Sequence, residues 1–323
     1  MMIREIYPHI YLNEIPLPHN PLKTLNSYIV LSGDRPLILD TGFDLEVCKA
    51  AFMEGVEELQ IDLQKTDLVL SHMHVDHTGL ADFLAERGCQ VYIGEKDGIL
   101  LNNYRTSPGL IMGELNKVLN LGQEMNSTEK AVFDITPKKP LAYTPLNEGD
   151  CLETGLYQWE VINIPGHSPG HIGLYERRHK LFLGGDHILN EITPNITFFH
   201  YKIDSLGNFI RSLEKIRGYD IEQVFPAHRS LIANHRQRID ELIAHHQERL
   251  VEIAEILRDG KKTVGQTASK MQWELRYNSW DDFPLAQKWF ASGEAMAHLE
   301  HLVHKGDVRR VNHDGEAYYE LVN

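Results

Sequence analysis

Short apolar runs with strand-like spacing open the chain at Ile10 to Leu17, Ser27 to Leu31 and Leu37 to Asp40, and a helical pattern begins near Leu45. Asp67-Leu68-Val69-Leu70-Ser71 is again apolar and β-prone, whereas Gly79 to Gly88 has the spacing of an amphipathic helix. A second set of strands is predicted at Gln90 to Ile93, Trp159 to Ile164, Ile172 to Tyr175 and Lys180 to Leu183, with helical periodicity around Leu206 to Ile216. This order predicts an α/β (α+β) fold in which sheets are flanked by helices on both sides.

The pattern changes twice. Between Lys96 and Leu146 an amphipathic stretch, Leu110 to Leu121, and a segment from Asn126 to Pro140 interrupt the core strands, and an insertion of that length beside a cleft is expected to form a helical cap. Tyr104, Met112, Phe133 and Tyr143 either line that cap or pack it onto the core, and Thr197-Phe198-Phe199-His200-Tyr201 is a candidate for another pocket wall. Near His235 a long charged helix begins and runs through Leu257, followed by Thr263 to Trp273, a helix from Pro284 to Lys305, and a hairpin from Val308 to Tyr319 turning at Asp314-Gly315. The expected division is a larger domain over residues 1–240, with the cap at about 96–146, and a small C-terminal domain over 241–323.

The chemistry is concentrated where strands end. His72-Met73-His74-Val75-Asp76-His77 follows the β-prone run and precedes the predicted helix, so its side chains lie on a strand-to-helix turn. Alternation along an extended segment lets His72 and His74 point to one side, while Asp76 and His77, past the turn, face another point. Imidazole and carboxylate donors suit a borderline-soft divalent cation such as zinc, and two metal points require further ligands from other strand ends. Ile164-Pro165-Gly166-His167-Ser168-Pro169-Gly170-His171, Leu183-Gly184-Gly185-Asp186 and Phe225-Pro226-Ala227-His228 supply them in order.

These four motifs resemble the successive signatures of the metallo-β-lactamase superfamily, nearest its glyoxalase-II-like hydrolase branch, over about residues 1–240. The resemblance implies an αββα sandwich with the metal motifs along one edge. It further implies that His72, His74 and His167 hold one divalent cation, that Asp76, His77 and His228 hold a second, and that Asp186 bridges them. Asp76 and His171 are the candidate catalytic residues, His187 is a further near-site residue, and Asp40 in Asp40-Thr41-Gly42 orients a ligand histidine or serves only its turn. The implied nucleophile is hydroxide from water held between two cations, most simply zinc, with iron and manganese compatible with the same donors. The C-terminal helices and hairpin resemble the winged-helix domain found in some of these hydrolases.

Charge bears on substrate. The 323-residue chain carries a formal net charge of −14, and from Gln247 to Asn323 ten Lys/Arg against thirteen Asp/Glu leave −3, where a phosphate-binding module should be basic. The leading expectation is therefore hydrolysis of a small ester or thioester. The alternative is a phosphodiesterase or ribonuclease, for which Arg105, Lys138, Lys139, Arg229, Arg236 and Arg238 are the cations available, and a binding module that merely kept the fold is disfavoured by the full ligand set. Glutathione thioesters are weakened as substrates because the resembling enzymes bind them through a C-terminal helical segment, and β-lactams because Asp76 and His228 match the hydrolase branch better. The C-terminal domain is expected to pack on the core, close the cleft or make a homodimer. His298, His301 and His304, like His245-His246, read as solvated helix positions. No apolar stretch reaches membrane-spanning length, the first residues lack a signal-peptide pattern, and Cys48, Cys89 and Cys151 predict reduced, buried thiols in a cytoplasm.

Overall fold

The protein is described by a computed structural model covering residues 3–107, 119, 139–273, 277, 279–313 and 315–322. A mixed seven-stranded sheet runs in the order β1 (Arg4–Tyr7), β2 (Ile10–Pro16), β3 (Thr24–Val30), β4 (Leu37–Leu39), β5 (Asp67–Leu70), β6 (Gln90–Gly94) and β7 (Thr144–Leu146). A five-stranded sheet has the order β12 (Gln223–Pro226), β11 (Leu181–Gly185), β10 (Ile172–Glu176), β9 (Tyr157–Asn163) and β8 (Cys151–Thr154). β4 and β5 are parallel, as are β11 and β12, so within each sheet these neighbouring strands end on the same edge.

Three apolar layers stack through the sandwich. Between the sheets, Tyr28, Leu37, Leu39 and Val69 meet Trp159, Val161, Leu174, Leu183 and Phe225. On the outer face of the first sheet, Ile38, Leu68 and Leu70 pack beneath Cys48, Phe52 and Val56 of α1 (Glu46–Glu58) and Leu84 of α3 (Ala81–Ala85). On the outer face of the second, Ile162, Phe182 and Val224 are covered by Leu206, Phe209 and Leu213 of α5 (Ser205–Arg217) and by Ile239 and Leu242 of α6 (His235–Arg258). Strands buried on both faces explain why β4, β5 and β11 read as apolar runs.

The helix expected over Gly79 to Gly88 is shorter, α3 over Ala81–Ala85, and a separate helical turn, α2 (Val75–Thr78), precedes it, with Leu80 at φ −88°, ψ 6° outside helical geometry between them. The short strands β1, β7 and β8 escaped the sequence reading, since their residues are mostly exposed or half-buried and carry little apolar signal. α4 (Glu95–Thr106) starts the expected cap, whose residues 108–118 and 120–138, Met112 and Phe133 among them, lie outside the described residues. Tyr143 packs on the first sheet's outer layer, against α4 at Gly98, and so supports the packing role rather than a pocket role.

The C-terminal region consists of α7 (Val264–Ala268), α8 (Leu285–Lys305) and a hairpin, β13 (Val308–His313) with β14 (Glu316–Leu321). Its apolar core joins Ile253 and Leu257 of α6 to Trp289, Met296 and Leu299 of α8, and to Val308 and Tyr319. Phe198 belongs to this core too. Since α6 also packs on the second sheet, one unbroken helix crosses the boundary expected at residue 240 and serves both regions. Cys48 and Cys89 are buried, but Cys151 is exposed at the start of β8, correcting the expectation for that thiol. No described helix is long and apolar enough to cross a membrane.

Candidate metal centre

Ser71 to His77 continues directly from β5, His167 follows β9, Asp186 follows β11, and His228 follows β12 by one residue. Two glycines make the approach of these loops feasible. Gly185 has φ +52° and a Cβ there would stand 2.7 Å from the His171 ring, while Gly166 at φ +146° lies where a Cβ would come within 2.4 Å of the Phe209 backbone.

Three imidazoles converge first. His72 Nε2 lies 2.8 Å from His74 Nδ1 and 3.2 Å from His167 Nε2, and His167 Nε2 is 3.0 Å from His74 Nδ1. Burial and the neighbouring rings hold His72 well below the ordinary imidazole range, and burial with the His167 ring takes His74 to about 3. Burial lowers His167 as well. All three rings are therefore neutral at pH 7, and His72 and His167, whose outer nitrogens face oxygens, present Nε2 lone pairs beside His74 Nδ1, an arrangement that fits a shared cation.

A second group adjoins it. The Asp76 Oδ2 atom is 3.7 Å from His77 Nε2 and 3.5 Å from His228 Nε2. Asp186 stands between the groups: its Oδ2 is 3.4 Å from His167 Nε2 and 3.6 Å from His77 Nε2, and its Oδ1 is 3.4 Å from His228 Nε2. Burial alone would lower His77, but Asp40, Asp76 and Asp186 together outweigh it and hold the ring well above its ordinary value. Burial likewise opposes ionisation of Asp76, yet His77 and His228 bring that carboxyl to about 2. His77 Nε2, His228 Nε2 and Asp186 Oδ1 are buried and make no hydrogen bond. Such atoms are costly to leave unmatched, so the donor set fits a divalent cation by its own chemistry.

The outer nitrogens are tied down. His77 Nδ1 donates to Asp40 Oδ2 at 2.9 Å, His167 Nδ1 to the Asn195 carbonyl at 2.7 Å, and His228 Nδ1 to the Thr24 carbonyl at 2.7 Å. His72 Nδ1 lies 3.0 Å from Ser71 Oγ, which donates to Asp40 Oδ2 at 2.7 Å, and the Ser71 amide donates to Asp40 Oδ1 at 2.8 Å. One buried carboxylate thus orients a histidine of each group and fixes the tautomer that leaves Nε2 facing inward. Asp97, in the first turn of α4, accepts from the Met73 amide at 3.0 Å, from Ser168 Oγ and from the Gly170 amide, clamping together the loops that carry His72, His74 and His167. Neither Asp97 nor the Asn195 and Thr24 carbonyls carries a local sequence signal for this work; a buried acid in a helix's first turn is visible only once burial is known.

His171 is fully buried, stacks on His72 with ring centroids 4.8 Å apart, and accepts the Asp186 amide on Nε2 at 3.1 Å. Its contacts hold the Asp186 backbone. His187 is buried against Phe209, and burial lowers its ring to about 3. The basic residues set aside for a phosphodiester groove are largely occupied. Arg105 is buried and paired with Asp82 at 2.8 Å, and Lys139 pairs with Glu86. Arg236 donates to the Arg217 and Tyr219 carbonyls, Arg238 to those of Leu189 and Ile192, and Arg229 to that of Pro21. Lys138 lies outside the described residues.

Two C-terminal expectations are corrected. His246 and His298 are fully buried between α6 and α8, with His246 Nδ1 3.1 Å from His298 Nε2, and His301 meets Asp204 at 2.9 Å; only His304 is exposed. The charged composition of both helices hid this, because these faces become interior only when the helices meet. Phe198 and Tyr201 pack toward the C-terminal core, with Arg310 stacked 3.7 Å over the Tyr201 ring, rather than standing as an independent pocket wall.

An αββα sandwich carrying grouped histidines and aspartates at its strand ends is the frame of a metal-dependent hydrolase. The chain belongs to the metallo-beta-lactamase superfamily, whose family model matches residues 23–228, and a model of the metallo-beta-lactamase-like C-terminal domain matches residues 281–321. It is similar to the acyl-coenzyme A thioesterase MBLAC2 of Gallus gallus, 25% identical over 216 residues that span 65% of this chain and 74% of the relative. It is also similar to the atrochrysone carboxyl ACP thioesterase of Emericella nidulans, 24% identical over 219 residues, 68% of this chain and 55% of that protein. Among solved structures, a metallo-beta-lactamase family protein of Thermus thermophilus matches with a TM-score of 0.84 at 28% identity, covering 98% of this chain and 100% of the other.

Proposed function

We propose that the protein is a dinuclear metal hydrolase of small esters or thioesters, with acyl thioesters of a carrier other than glutathione as the first class to test. The observation that carries the reading is the Asp186 carboxylate, which faces His167 and His77 through one oxygen and His228 through the other. His72, His74 and His167 would hold one cation, Asp76, His77 and His228 the second, and Asp186 would span both; zinc suits these donors, and so do iron and manganese. When bound, such cations supply hydroxide from water at neutral pH and polarise the scissile carbonyl. The chain's own part is to keep the rings of His72, His74 and His167 neutral, to hold His77, His167 and His228 by their outer nitrogens through Asp40, Asn195 and Thr24, and to set Asp186 through His171. Asp76, which His77 and His228 bring to about 2, stays ionised and would serve turnover as a ligand of the second cation rather than as the proton acceptor.

Both thioesterase relatives act, by their names, on thioesters of coenzyme A or acyl carrier protein, and this supports the thioester class. The occupied basic side chains weigh against the phosphodiesterase or ribonuclease alternative. We further read residues 241–323 as a winged-helix-like domain, and the enzyme as cytoplasmic. Initial rates on an acyl thioester, a lactone, bis-p-nitrophenyl phosphate and single-stranded RNA test the reading, using protein of determined metal content and a His74→Ala control. Chelator-sensitive turnover of thioester or lactone is expected. Selective cleavage of RNA or phosphodiester would replace this reading with the alternative.

A further inference from the structure

Between β11 and α5 the chain runs from Asp186 to Asp204 without regular structure, and it passes the metal centre at Asn195. The carbonyl of Asn195 receives the outer nitrogen of His167 at 2.7 Å. Its side chain turns the other way and donates through Nδ2 to Glu294 Oε2 on α8, at 3.0 Å. The Glu294 side chain is only 12% exposed, and its other oxygen faces Arg249 Nε of α6 at 3.9 Å. The preceding residue of α8, Gly293, comes so close to the same loop that a Cβ there would stand 2.4 Å from Thr197 Oγ1. Two contacts, one polar and one steric, therefore seat this loop on the C-terminal helix. Burial raises the Glu294 carboxyl to about 7, so its acceptor function persists whether or not it carries a charge.

We infer that the C-terminal region is a structural part of the metal centre, with Glu294 as a positioning residue that holds His167 through Asn195. The inference rests on the reading of His167 as a metal ligand. Side chains that orient ligand histidines from outside typically matter about 10- to 100-fold in metal affinity or activity, and here the orienting group is itself a backbone carbonyl in an irregular loop. Such a carbonyl has no stiffness of its own. The anchor that supplies it belongs to α8, 99 residues further along the chain, which gives the C-terminal helix a task that neither nucleic-acid binding nor simple packing explains.

The test is cobalt(II) titration of the metal-free full-length protein, followed by its visible absorption bands, with wild type, Glu294→Ala, Glu294→Gln, Asn195→Ala and Tyr319→Phe side by side. Tyr319 donates to Glu300 elsewhere on α8, so its replacement perturbs the same region without touching Asn195. Glu294→Ala and Asn195→Ala are expected to weaken the three-histidine group about tenfold or more and to alter its bands. Glu294→Gln, which keeps the acceptor, and Tyr319→Phe are expected to match wild type. Wild-type affinity and spectrum in both alanine variants would overturn the inference, as would an equal loss in Glu294→Gln or Tyr319→Phe. If Glu294→Ala does not fold, Asn195→Ala decides in the same way. A wild-type protein that gathers no cobalt on its histidines would instead overturn the metal-ligand reading itself, which separates the two failures.

Discussion

Two clusters of buried histidines can be compared in this molecule, one at the strand ends and one between α6 and α8. Both contain rings driven toward neutrality by burial: His72 and His74 in the first, His246 and His298, the latter to about 3, in the second. The difference lies in where the remaining nitrogens point. At the strand ends, outer nitrogens are anchored by oxygens and inner ones converge with Asp76 and Asp186. Between the helices, His298 Nδ1 is bound to the Glu294 carbonyl and its Nε2 to His246 Nδ1, and the nitrogen left over, His246 Nε2, belongs to no group of converging donors among the described residues. Burial and a perturbed pKa therefore do not define a metal site; lone pairs aimed at a common point, with their opposite sides held, do.

The largest expected effect breaks the strand-end cluster. Asp186→Ala or His74→Ala should reduce thioester or lactone hydrolysis by about a thousandfold or more while the circular dichroism spectrum stays native, since each removes a proposed metal ligand. Full activity in either variant would end the dinuclear reading. Asp40→Ala touches no inner nitrogen but frees His77 and Ser71, and is expected to cost about 10- to 100-fold in metal affinity, read by equilibrium dialysis. Asp97→Ala loosens only the clamp between loops and should cost about tenfold in the affinity of the three-histidine group.

The helix cluster sharpens the comparison in the opposite sense. His246→Leu is expected to leave metal content and turnover unchanged and to cost about 1–3 kcal/mol of stability in urea melts, because His298 Nε2 loses its buried partner. Its pH dependence has a defined sign. A ring held at about 3 when folded and 6.5 when unfolded binds more protons in the unfolded chain between those values. Stability is thus fully present above pH 6.5 and falls as pH drops toward 3. Replacing both His246 and His298 by leucine should lessen that slope in the metal-free protein, where His72, His74 and His187 keep their own share of it; an unchanged slope would place the acid sensitivity entirely with those rings. The smallest effect is expected for Lys139→Ala, which removes an exposed ion pair with Glu86 and should leave small-ester turnover within about twofold at any salt concentration.

The sequence carried the converging His and Asp groups because each sits just beyond an apolar strand, inside a Gly- or Pro-punctuated turn or directly at the strand's end: His72-Met73-His74, Pro165-Gly166-His167, Gly184-Gly185-Asp186 and Pro226-Ala227-His228. Ligand type and turn chemistry are local properties, and local properties can be read from a string of residues. The same holds for the apolar runs of β4, β5 and β11, whose burial on both faces leaves a clear composition. What surrounds the ligands is not local. Asp97 lies in a helix that resembles any other acidic helix start, Asn195 contributes a carbonyl that every residue possesses, and Glu294 meets the loop only because α8 folds back over it. His246 and His298 read as polar surface because α6 and α8 are charged helices, and only their contact turns one face of each inward. The sequence alone determined which atoms are available to bind metal and the order of the strands that deliver them. Tertiary structure alone decided which nitrogen of each ring faces inward, which carboxylate stands between the groups and which distant helix braces them, because those depend on convergence in space of groups that share no neighbourhood along the chain.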